Sequence, residues 1–284
     1  MILFFSDGRL GNQFFQYSFL KSIARGNETI FVTNMCLFEQ ACNISNKNFK
    51  NFAINKYLSF IVRVFVKPYI LMLLVKLKLI SYICQDKYDG SILPTVSSSK
   101  GLLPITLVET DFFQSEQLFD SSKIDFELKS IYYKRAEKIL SNLPNDLPMV
   151  FLHVRRGDYL TEIYNGSRGI NLPNSYYIKA LEMIKIDLDD FFCIFLTDDY
   201  EYVDCCFKDV KNKYISKEDM FTDLALMSKC NYGVVSNSSF SWWGAYLMDN
   251  PRSVIFPKYW YGWKFKKDSH IDIQPKWAKV IDFD

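Results

Sequence analysis

The chain has 284 residues, of which 49% are hydrophobic and 23% are charged. This composition is typical of a folded globular protein and excludes a disordered chain. The 34 basic and 32 acidic residues leave a formal net charge of only +2, which excludes the broad positive surface that binds nucleic acid nonspecifically. An anionic ligand must therefore be held by particular side chains.

The cysteines and histidines form no pattern of disulfides or metal ligands. The seven cysteines are an odd number without a C-x-x-C pair, which indicates reduced thiols and a cytoplasmic protein. The only histidines are His153 and His270, so we expect no metal site and no cofactor. No basic segment followed by an apolar run stands after Met1, so we expect no signal peptide.

The chain opens with the pattern of a strand, a glycine loop and a helix. Ile2 to Phe5 is apolar, the loop Gly8-Arg9-Leu10-Gly11-Asn12-Gln13 follows, and Phe15, Phe19 and Ile23 then recur at every fourth residue. Two glycines let the backbone approach a ligand, and a helix N-terminus offers N–H groups to a phosphate or a polar sugar. The alternative is a turn that only connects strand to helix.

Residues 58–84 form the most hydrophobic stretch of the chain. A membrane span needs about 20 nearly uncharged residues. The residues that interrupt this stretch are Arg63, Lys67, Pro68, Lys76 and Lys78. We therefore expect either core helices of the first domain, broken at Pro68, or a basic amphipathic surface in peripheral contact with the inner face of the cell membrane.

Four apolar runs follow Pro148, and polar residues come directly after each of them except the last, which ends at a proline. The runs span residues 149–154, 191–196, 232–235 and 254–256. Helical patterns separate them, one from Asn174 and one in which Ser216 and Asp219 form a capping box. Buried strands that alternate with helices predict an α/β fold with a parallel sheet and ligands at the carboxyl ends of its strands.

The sequence His153-Val154-Arg155-Arg156-Gly157-Asp158-Tyr159 ends the first of these runs. Residues two apart in a strand point to the same side, so His153 and Arg155 share one side and Arg156 lies on the other. An arginine at a buried strand end needs a phosphate or carboxylate partner. We predict an Arg156–Asp158 ion pair, which leaves Arg155 for a ligand; the alternative is a structural salt bridge without a ligand.

Two further strand ends carry polar side chains. Ser238 and Ser239 stand at a predicted helix start, where hydroxyls and backbone N–H groups bind anions. Phe240 and the tryptophans after it can stack on a base or a sugar, or belong to the core. Asp198 and Asp199 can accept hydrogen bonds from a guanine edge or a ribose hydroxyl, or cap a helix.

Three motifs in this order resemble those of the bacterial α-1,2-fucosyltransferases, glycosyltransferase family 11. They are Gly-x-x-Gly-Asn-Gln from Gly8, His-x-Arg-Arg-Gly-Asp from His153, and Ser-Asn-Ser-Ser-Phe-Ser-Trp-Trp-Gly-Ala from Ser236. The first two are shared with protein O-fucosyltransferases and α-1,6-fucosyltransferases. The resemblance implies two facing Rossmann-like domains of the GT-B type: an acceptor-side domain over residues 1–145 with a helical insertion, and a GDP-fucose-binding domain over residues 146–284.

The resemblance also implies an activity. It is the transfer of L-fucose from GDP-fucose, with inversion and without a metal, to O2 of a terminal galactose in a cell-surface glycan such as an O-antigen. The alternatives are an enzyme resembling protein O-fucosyltransferases and a non-catalytic protein that binds a sugar nucleotide or glycan. No nucleic acid is expected as a partner.

Roles for individual residues follow from the same resemblance. His153 and Asp198 or Asp199 hold guanine, Arg155 holds the β-phosphate, and Asn12 lies near the reacting sugar. The residues expected to bind the donor are Gly11, His153, Arg155, Asp198, Asp199, Ser238, Ser239 and Phe240. The residues expected to take part in catalysis are Arg155, Asp158 and Asn12, with Asp158 the candidate general base and Asn12 an alternative that orients the acceptor hydroxyl.

Overall fold

The computed structural model describes the chain in five ranges: residues 1–53, 55–86, 94–144, 146–268 and 272–283. The chain divides into two compact units, Met1–Glu127 and Leu128–Asp284. The sequence placed this boundary later, between residues 145 and 146. The difference arises because the helix Ser130–Leu140 packs on the helix Met220–Ser228 and so belongs to the second unit.

The first unit is built on a mainly parallel sheet in the order β4-β2-β1-β7-β5-β6. Its strands are β1 (Ile2–Phe5), β2 (Ile30–Thr33), β4 (Phe49–Phe52), β5 (Ser81–Gln85), β6 (Val96–Ser99) and β7 (Thr106–Val108). Among the described pairs of this sheet, only β6 with β5 is antiparallel. A small separate sheet pairs β3 (Cys42–Ile44) with β8 (Phe126–Leu128).

Aromatic side chains fill the core of the first unit around α1 (Leu10–Ile23), which the sequence predicted, with α2 (Cys36–Ala41) beside it. The rings of Phe19 and Phe113 stack with centroids 3.9 Å apart. Tyr17 is fully buried, and its hydroxyl donates to Asp125 Oδ1 at 2.6 Å. This bond offsets the cost of burying a phenol, while each buried ring contributes about 1.5–3 kcal/mol.

Residues 56–76 form a continuous helical run, which consists of α3 (Lys56–Ile61), a π-helix (Val62–Leu71) and α4 (Met72–Lys76). The predicted break at Pro68 is wrong, because the run passes through it as a π-helix. A proline removes one backbone donor of the α-helical pattern, and a π-helix replaces that pattern locally. The run is not a core element, since none of its residues whose side chains the structure describes is buried.

No helix within the described ranges is both long enough and apolar enough to cross a membrane.

The second unit has a sheet in the order β13-β12-β9-β14-β15-β16, and all of its pairs are parallel among the described residues. Its strands are β9 (Met149–Val154), β12 (Phe192–Thr197), β13 (Lys213–Ile215), β14 (Tyr232–Val234), β15 (Ser253–Pro257) and β16 (Lys279–Ile281). A short hairpin pairs β10 (Ile163–Tyr164) with β11 (Ser167–Arg168). The four apolar runs predicted as strands are therefore confirmed.

Helices connect these strands. They are α5 (Ser130–Leu140), α6 (Asn174–Asp187), α7 (Tyr200–Cys206), α8 (Met220–Ser228) and α9 (Ser239–Tyr246). The helix predicted from Asn174 is confirmed as α6. The predicted capping box is wrong, because Asp219 caps α8 by accepting from the N–H groups of Phe221 and Thr222, while Ser216 Oγ donates to Asp223.

The strand order reverses in both sheets. In the second unit the chain starts at β9, proceeds to β12 and β13 on one side, and then crosses to β14, β15 and β16 on the other. In the first unit the same reversal lies between β1 and β7. Open α/β sheets bind ligands outside the carboxyl ends of the strands at such a switch point.

Candidate functional site

His153 lies near the carboxyl end of β9 and faces β14. The register of these strands pairs Leu152 with Val234, which brings the residues beyond Val234 alongside His153. Its Nδ1 is 2.8 Å from Ser236 Oγ, and its ring centroid is 5.5 Å from that of Phe240. Burial, together with the charge of Arg155, lowers the pKa of His153 to about 3. The imidazole is therefore neutral at physiological pH, and its Nε2 can donate a hydrogen bond to a ligand or accept one from it, according to the tautomer.

Arg155 contacts two carboxylates. Its guanidinium bonds with Oδ1 of Asp158, and another of its nitrogens is 2.5 Å from Asp198 Oδ2. The Arg155 side chain is only 16% exposed, and its Cζ lies 5.2 Å from the ring centroid of Tyr159. The prediction that Asp158 pairs with Arg156 and leaves Arg155 unpaired is therefore wrong.

Arg156 has its own partners. Its Nε donates to Asp199 Oδ2 at 2.8 Å, and its Cζ lies 3.5 Å from the ring centroid of Tyr202. Asp199 also caps α7, because its carboxylate accepts from the backbone N–H of Tyr202 at 3.1 Å. Arg156 is thus fixed between a helix cap and an aromatic ring, which is a structural setting.

The parallel register explains these pairings. Thr197 of β12 lies beside Val154 of β9, so the next residues, Asp198 and Asp199, follow alongside Arg155 and Arg156 in turn. Asp198 also accepts from the backbone N–H of Arg156 at 2.8 Å. Spacing along one segment could not have shown this, because register is a property of two strands.

Gly157 gives Asp198 room to approach. A Cβ at this position would lie 2.5 Å from Asp198 Oδ2, which is closer than Cβ atoms come to other heavy atoms. Any side chain here would therefore push Asp198 away from Arg155. The glycine of the His-x-Arg-Arg-Gly-Asp motif is explained by this contact.

The start of α9 follows β14 across the switch point. Ser238 is its N-cap and is nearly buried; its Oγ accepts weakly from the Phe240 N–H at 3.4 Å. A hydroxyl that accepts one hydrogen bond still has its own proton to donate. Ser239 is the first residue of the helix, and both Ser239 and Phe240 are half-buried. The backbone N–H groups of this helix start add positive potential for an anion.

Other residues of the motif that begins at Ser236 have structural roles. Trp242 and Trp243 are fully buried, so they belong to the core rather than to a stacking surface. Asn237 is fully buried as well, and its amide donates to the carbonyls of Ile170 and Trp260 at 2.6 and 2.9 Å. Ser236 is the partner of His153 that the sequence did not single out, although its place in a serine-rich motif was a usable indication.

The other switch point, in the first unit, carries uncharged amides. Asn12 Oδ1 accepts from Gln114 Nε2 at 2.7 Å. Gln114 is 5% exposed, and its Oε1 has no hydrogen-bond partner among the described residues. No sequence motif predicted that Gln114 contacts Asn12, because the two residues are 102 positions apart in sequence.

The glycine motif around Asn12 is mostly structural. Gly8 has φ of 84°, and a Cβ there would lie 2.5 Å from Asn12 Nδ2. Gly11 is buried in the first turn of α1. Gln13 is buried too, and its Oε1 accepts from the Phe38 N–H at 2.9 Å. Asn12, also in the first turn of α1, is half-buried.

No group of three or more His, Cys, Asp or Glu side chains in the described ranges is arranged to hold a metal ion. His270 lies outside the described residues.

The two switch points offer different chemistry. Between β9 and β14, a neutral imidazole, a guanidinium, a serine hydroxyl and a helix start converge, and such donors suit a diphosphate. The carboxylates of Asp198 and Asp199 add acceptors, which suit the N–H edge of a base or a sugar hydroxyl. Between β1 and β7, Asn12 and Gln114 offer neutral hydrogen bonds, which suit a polar uncharged group.

Comparison with known proteins gives a family match over most of the second unit. Residues 99–280 match the family model described as glycosyl transferase family 11. An O-antigen biosynthesis glycosyltransferase, WbnK of Escherichia coli, is 30% identical over 57% of this chain and 57% of its own length. An α-1,2-colitosyltransferase of Escherichia coli is 27% identical over 60% of this chain and 61% of its own. The chain thus spans less than two thirds of both relatives.

A solved structure agrees with the fold. NodZ α-1,6-fucosyltransferase, co-crystallised with GDP, superimposes with a TM-score of 0.53 at 9% identity, over 87% of this chain and 92% of its own. The expected class, an α/β fold of two Rossmann-like units of the GT-B type, is confirmed. The resemblance to glycosyltransferase family 11 is confirmed as well, and the matched residues contain the second and third motifs.

Proposed function

The chain belongs to glycosyl transferase family 11, and we propose that it moves L-fucose from GDP-fucose to a hydroxyl of a glycan, with inversion. One observation carries the proposal: at the switch point between β9 and β14, His153 lies 2.8 Å from Ser236 in the segment that leads to the N-cap Ser238, and Arg155 follows directly after β9. This is where open α/β sheets bind nucleotides. The fold neighbour crystallised with GDP supports a guanine nucleotide as the ligand.

The donor binds, in this proposal, along the carboxyl ends of β9, β12 and β14. Guanine lies against His153 and against Asp198 or Asp199. The carboxylates of both aspartates can accept further hydrogen bonds in addition to their ion pairs with Arg155 and Arg156. Ser238 and the N–H groups at the start of α9 take phosphate oxygens, with Ser239 and Phe240 as further contacts. A neutral His153 matters here, since it adds a hydrogen bond without a titratable charge.

Arg155 stabilises the leaving group. In an inverting transfer the acceptor hydroxyl attacks the anomeric carbon while the bond to GDP breaks, so negative charge grows on the β-phosphate. Two guanidinium nitrogens of Arg155 already contact carboxylates, one that of Asp158 and the other that of Asp198. The phosphate takes the place of Asp158, the more exposed carboxylate at 39% against 28%. A preorganised cation then lowers the barrier most when charge is greatest.

The acceptor hydroxyl loses its proton during the transfer, so a general base must accept it. Asp158 is the proposed general base, and it becomes able to accept a proton once Arg155 has exchanged it for phosphate. Asn12 is the alternative contact for the hydroxyl, and it orients the group without accepting its proton. No divalent ion is required, because Arg155 and the start of α9 supply the positive potential.

The acceptor we propose is O2 of a terminal galactose in a cell-surface glycan or polysaccharide repeat, made on the cytoplasmic side of the membrane. The relative from Escherichia coli that is named for O-antigen biosynthesis supports a polysaccharide acceptor. The relative named for α-1,2-colitose transfer supports the linkage, and it also makes a colitose donor the second candidate.

The test is mass analysis of products after incubation with a donor and a panel of oligosaccharides. GDP-fucose with a galactose-terminated acceptor should give one added deoxyhexose, and linkage analysis should place it at O2 in the α configuration. Transfer only from GDP-colitose would replace the donor. Binding of GDP without transfer or hydrolysis would favour a non-catalytic sugar-nucleotide-binding protein, and modification of protein substrates alone would favour a protein O-fucosyltransferase.

A further inference from the structure

The helical run over residues 56–76 exposes a straight row of large apolar side chains. We call it the apolar row: Tyr57, Ile61, Phe65, Tyr69, Leu73 and Leu77. Their exposed fractions are 84, 47, 54, 70, 53 and 60%, respectively, so about half or more of each side chain is open to solvent. Exposed apolar side chains are common singly, but a contiguous set marks an interaction surface.

The spacing explains why the row is straight. Its members are four residues apart, and residues four apart lie on the same face of an α-helix. An α-helix turns slightly more than once in four residues, whereas the wider π-helix turns slightly less. Because α3 and α4 flank the π-helix Val62–Leu71, these opposite drifts compensate along the run.

A second segment extends the row at its C-terminal end. The backbone N–H of Leu102 donates to the carbonyl of Lys78 at 2.9 Å, and that of Leu103 donates to Leu79 at 2.8 Å. The Leu102 side chain is 81% exposed. The apolar surface therefore continues beyond Leu77 onto a neighbouring turn that backbone hydrogen bonds hold in place.

Charge identifies what this surface fits. Between positions 56 and 85 the sequence has five basic residues and neither Asp nor Glu, although the whole chain is almost neutral. Lys76 and Lys78 are exposed beside Leu77. A second copy of this chain is a poor occupant, since a twofold interface would bring the same cations together. An anionic lipid surface satisfies both the apolar and the basic groups.

We propose that the apolar row lies on the surface of an anionic phospholipid bilayer, with the helical run parallel to the membrane. Phe65, Leu73 and Leu77 enter the boundary of the acyl chains, Tyr57 and Tyr69 occupy the headgroup level, and Lys76 and Lys78 meet lipid phosphates. The run lies on the membrane rather than across it. This proposal concerns membrane attachment only and does not depend on which sugar the protein transfers.

The experiment is cosedimentation of the whole chain with vesicles. One set contains phosphatidylcholine alone, and the other contains equal parts of phosphatidylcholine and phosphatidylglycerol. The wild type should sediment only with the anionic vesicles and should be released by high salt, because salt screens the lysine contacts. Lys76→Glu with Lys78→Glu should weaken binding by at least about tenfold, and so should Phe65→Ser with Leu73→Ser.

Matched variants in α5 and α6 control for charge and for apolar surface. Lys134→Glu with Lys138→Glu changes two exposed lysines of α5, and Ile131→Ser with Ile186→Ser changes two exposed isoleucines. Both should bind vesicles as the wild type does, and all variants should keep its circular dichroism spectrum. Equal binding by the row variants and the wild type would overturn the proposal. So would a wild-type dimer in sedimentation velocity that the row variants dissociate, since a second copy would then be the occupant.

Discussion

The two switch points of the molecule have the same topology and opposite chemistry. Between β9 and β14, charged and polar groups meet: the guanidinium of Arg155, the carboxylate of Asp198 and the neutral ring of His153. Between β1 and β7, the uncharged amides of Asn12 and Gln114 form a hydrogen bond, although the charged residues Asp7 and Asp111 follow the same two strands. The fold thus supplies a place for a ligand, and the side chains decide which ligand.

The difference extends to how each site is held. In the second unit, cations and anions alternate across β9 and β12, so each charge at the strand ends has an opposite neighbour before any ligand arrives. In the first unit, buried glutamines fasten the loop through neutral hydrogen bonds, such as Gln16 Nε2 to the carbonyls of Asp7 and Asp111. We infer that an anionic donor belongs to the former and an uncharged sugar to the latter.

The largest expected effect is that of Arg155→Lys. Lysine keeps the charge but loses the planar fork, so the growing charge on the β-phosphate loses a fixed donor. Losing such a donor typically costs about 100-fold to 1,000-fold in turnover. Steady-state kinetics with GDP-fucose measure this loss.

Arg135→Lys is the matched control for that substitution. Arg135 makes a 2.8 Å ion pair with Asp219 on the surface of the same unit, and its substitution should leave turnover unchanged. Near wild-type turnover in Arg155→Lys would contradict the claim that Arg155 stabilises the leaving β-phosphate.

A smaller effect is expected from the amides of the first unit. Asn12→Ala should lower turnover by about twofold to 13-fold, as the loss of one neutral hydrogen bond costs about 0.5–1.5 kcal/mol. Gln114→Ala should act through Asn12, because its amide holds that side chain at 2.7 Å. The double variant should then be no slower than Asn12→Ala.

Asn48→Ala serves as the control for the amides, since the hydrogen bond of its side chain within the described part of the chain is an exposed one to the carbonyl of Asn27, at 3.1 Å. Full turnover in Asn12→Ala and Gln114→Ala would make the first switch point a structural feature alone. Additive losses in the double variant would give Gln114 a role of its own.

Arg156→Lys should affect stability more than catalysis. The guanidinium of Arg156 bonds Asp199 and lies over Tyr202, contacts worth about 1 kcal/mol. A loss of that size lowers the melting temperature by about 2–4 °C in a protein of this size. Calorimetric melting checks this, and an abolished turnover at an unchanged melting temperature would reverse the assignments of Arg155 and Arg156.

Chelation should produce the smallest effect. If Arg155 and the start of α9 replace a divalent ion, turnover in excess EDTA should equal that without it. Kinetics after extensive dialysis against the chelator test this. Lost turnover that manganese or magnesium restores would place an ion at the diphosphate.

Local pattern was sufficient for most of the second unit. The apolar runs that became β9, β12, β14 and β15 are continuous and bounded by polar residues, and this is typical of strands buried on both faces. Local pattern was ambiguous for residues 58–84, where it allowed either core helices or an amphipathic surface, and the exposed side chains of the apolar row contradict the core helices. Composition alone does not distinguish an apolar helix face that is buried in the core from one that is exposed on the surface.

The candidate site was predictable in its members but not in its pairings. The motifs identified His153, Arg155 and Ser238, because unusual residues at strand ends stand out along one segment. The Arg155–Asp198 and Arg156–Asp199 pairs depend on the register between β9 and β12, and the Asn12–Gln114 contact joins residues 102 positions apart. Such contacts are decided by tertiary structure, and no spacing along the chain reports them.

The most direct test of the central claim is the affinity for GDP, measured by titration calorimetry, with one variant from each switch point. We expect the wild type to bind GDP and Arg155→Lys to bind it at least about tenfold more weakly, because a charge-assisted contact to phosphate is lost. Asn12→Ala should bind GDP within about twofold of the wild type. Weakened binding in Asn12→Ala with unchanged binding in Arg155→Lys would contradict the account, because the nucleotide would then belong to the first unit.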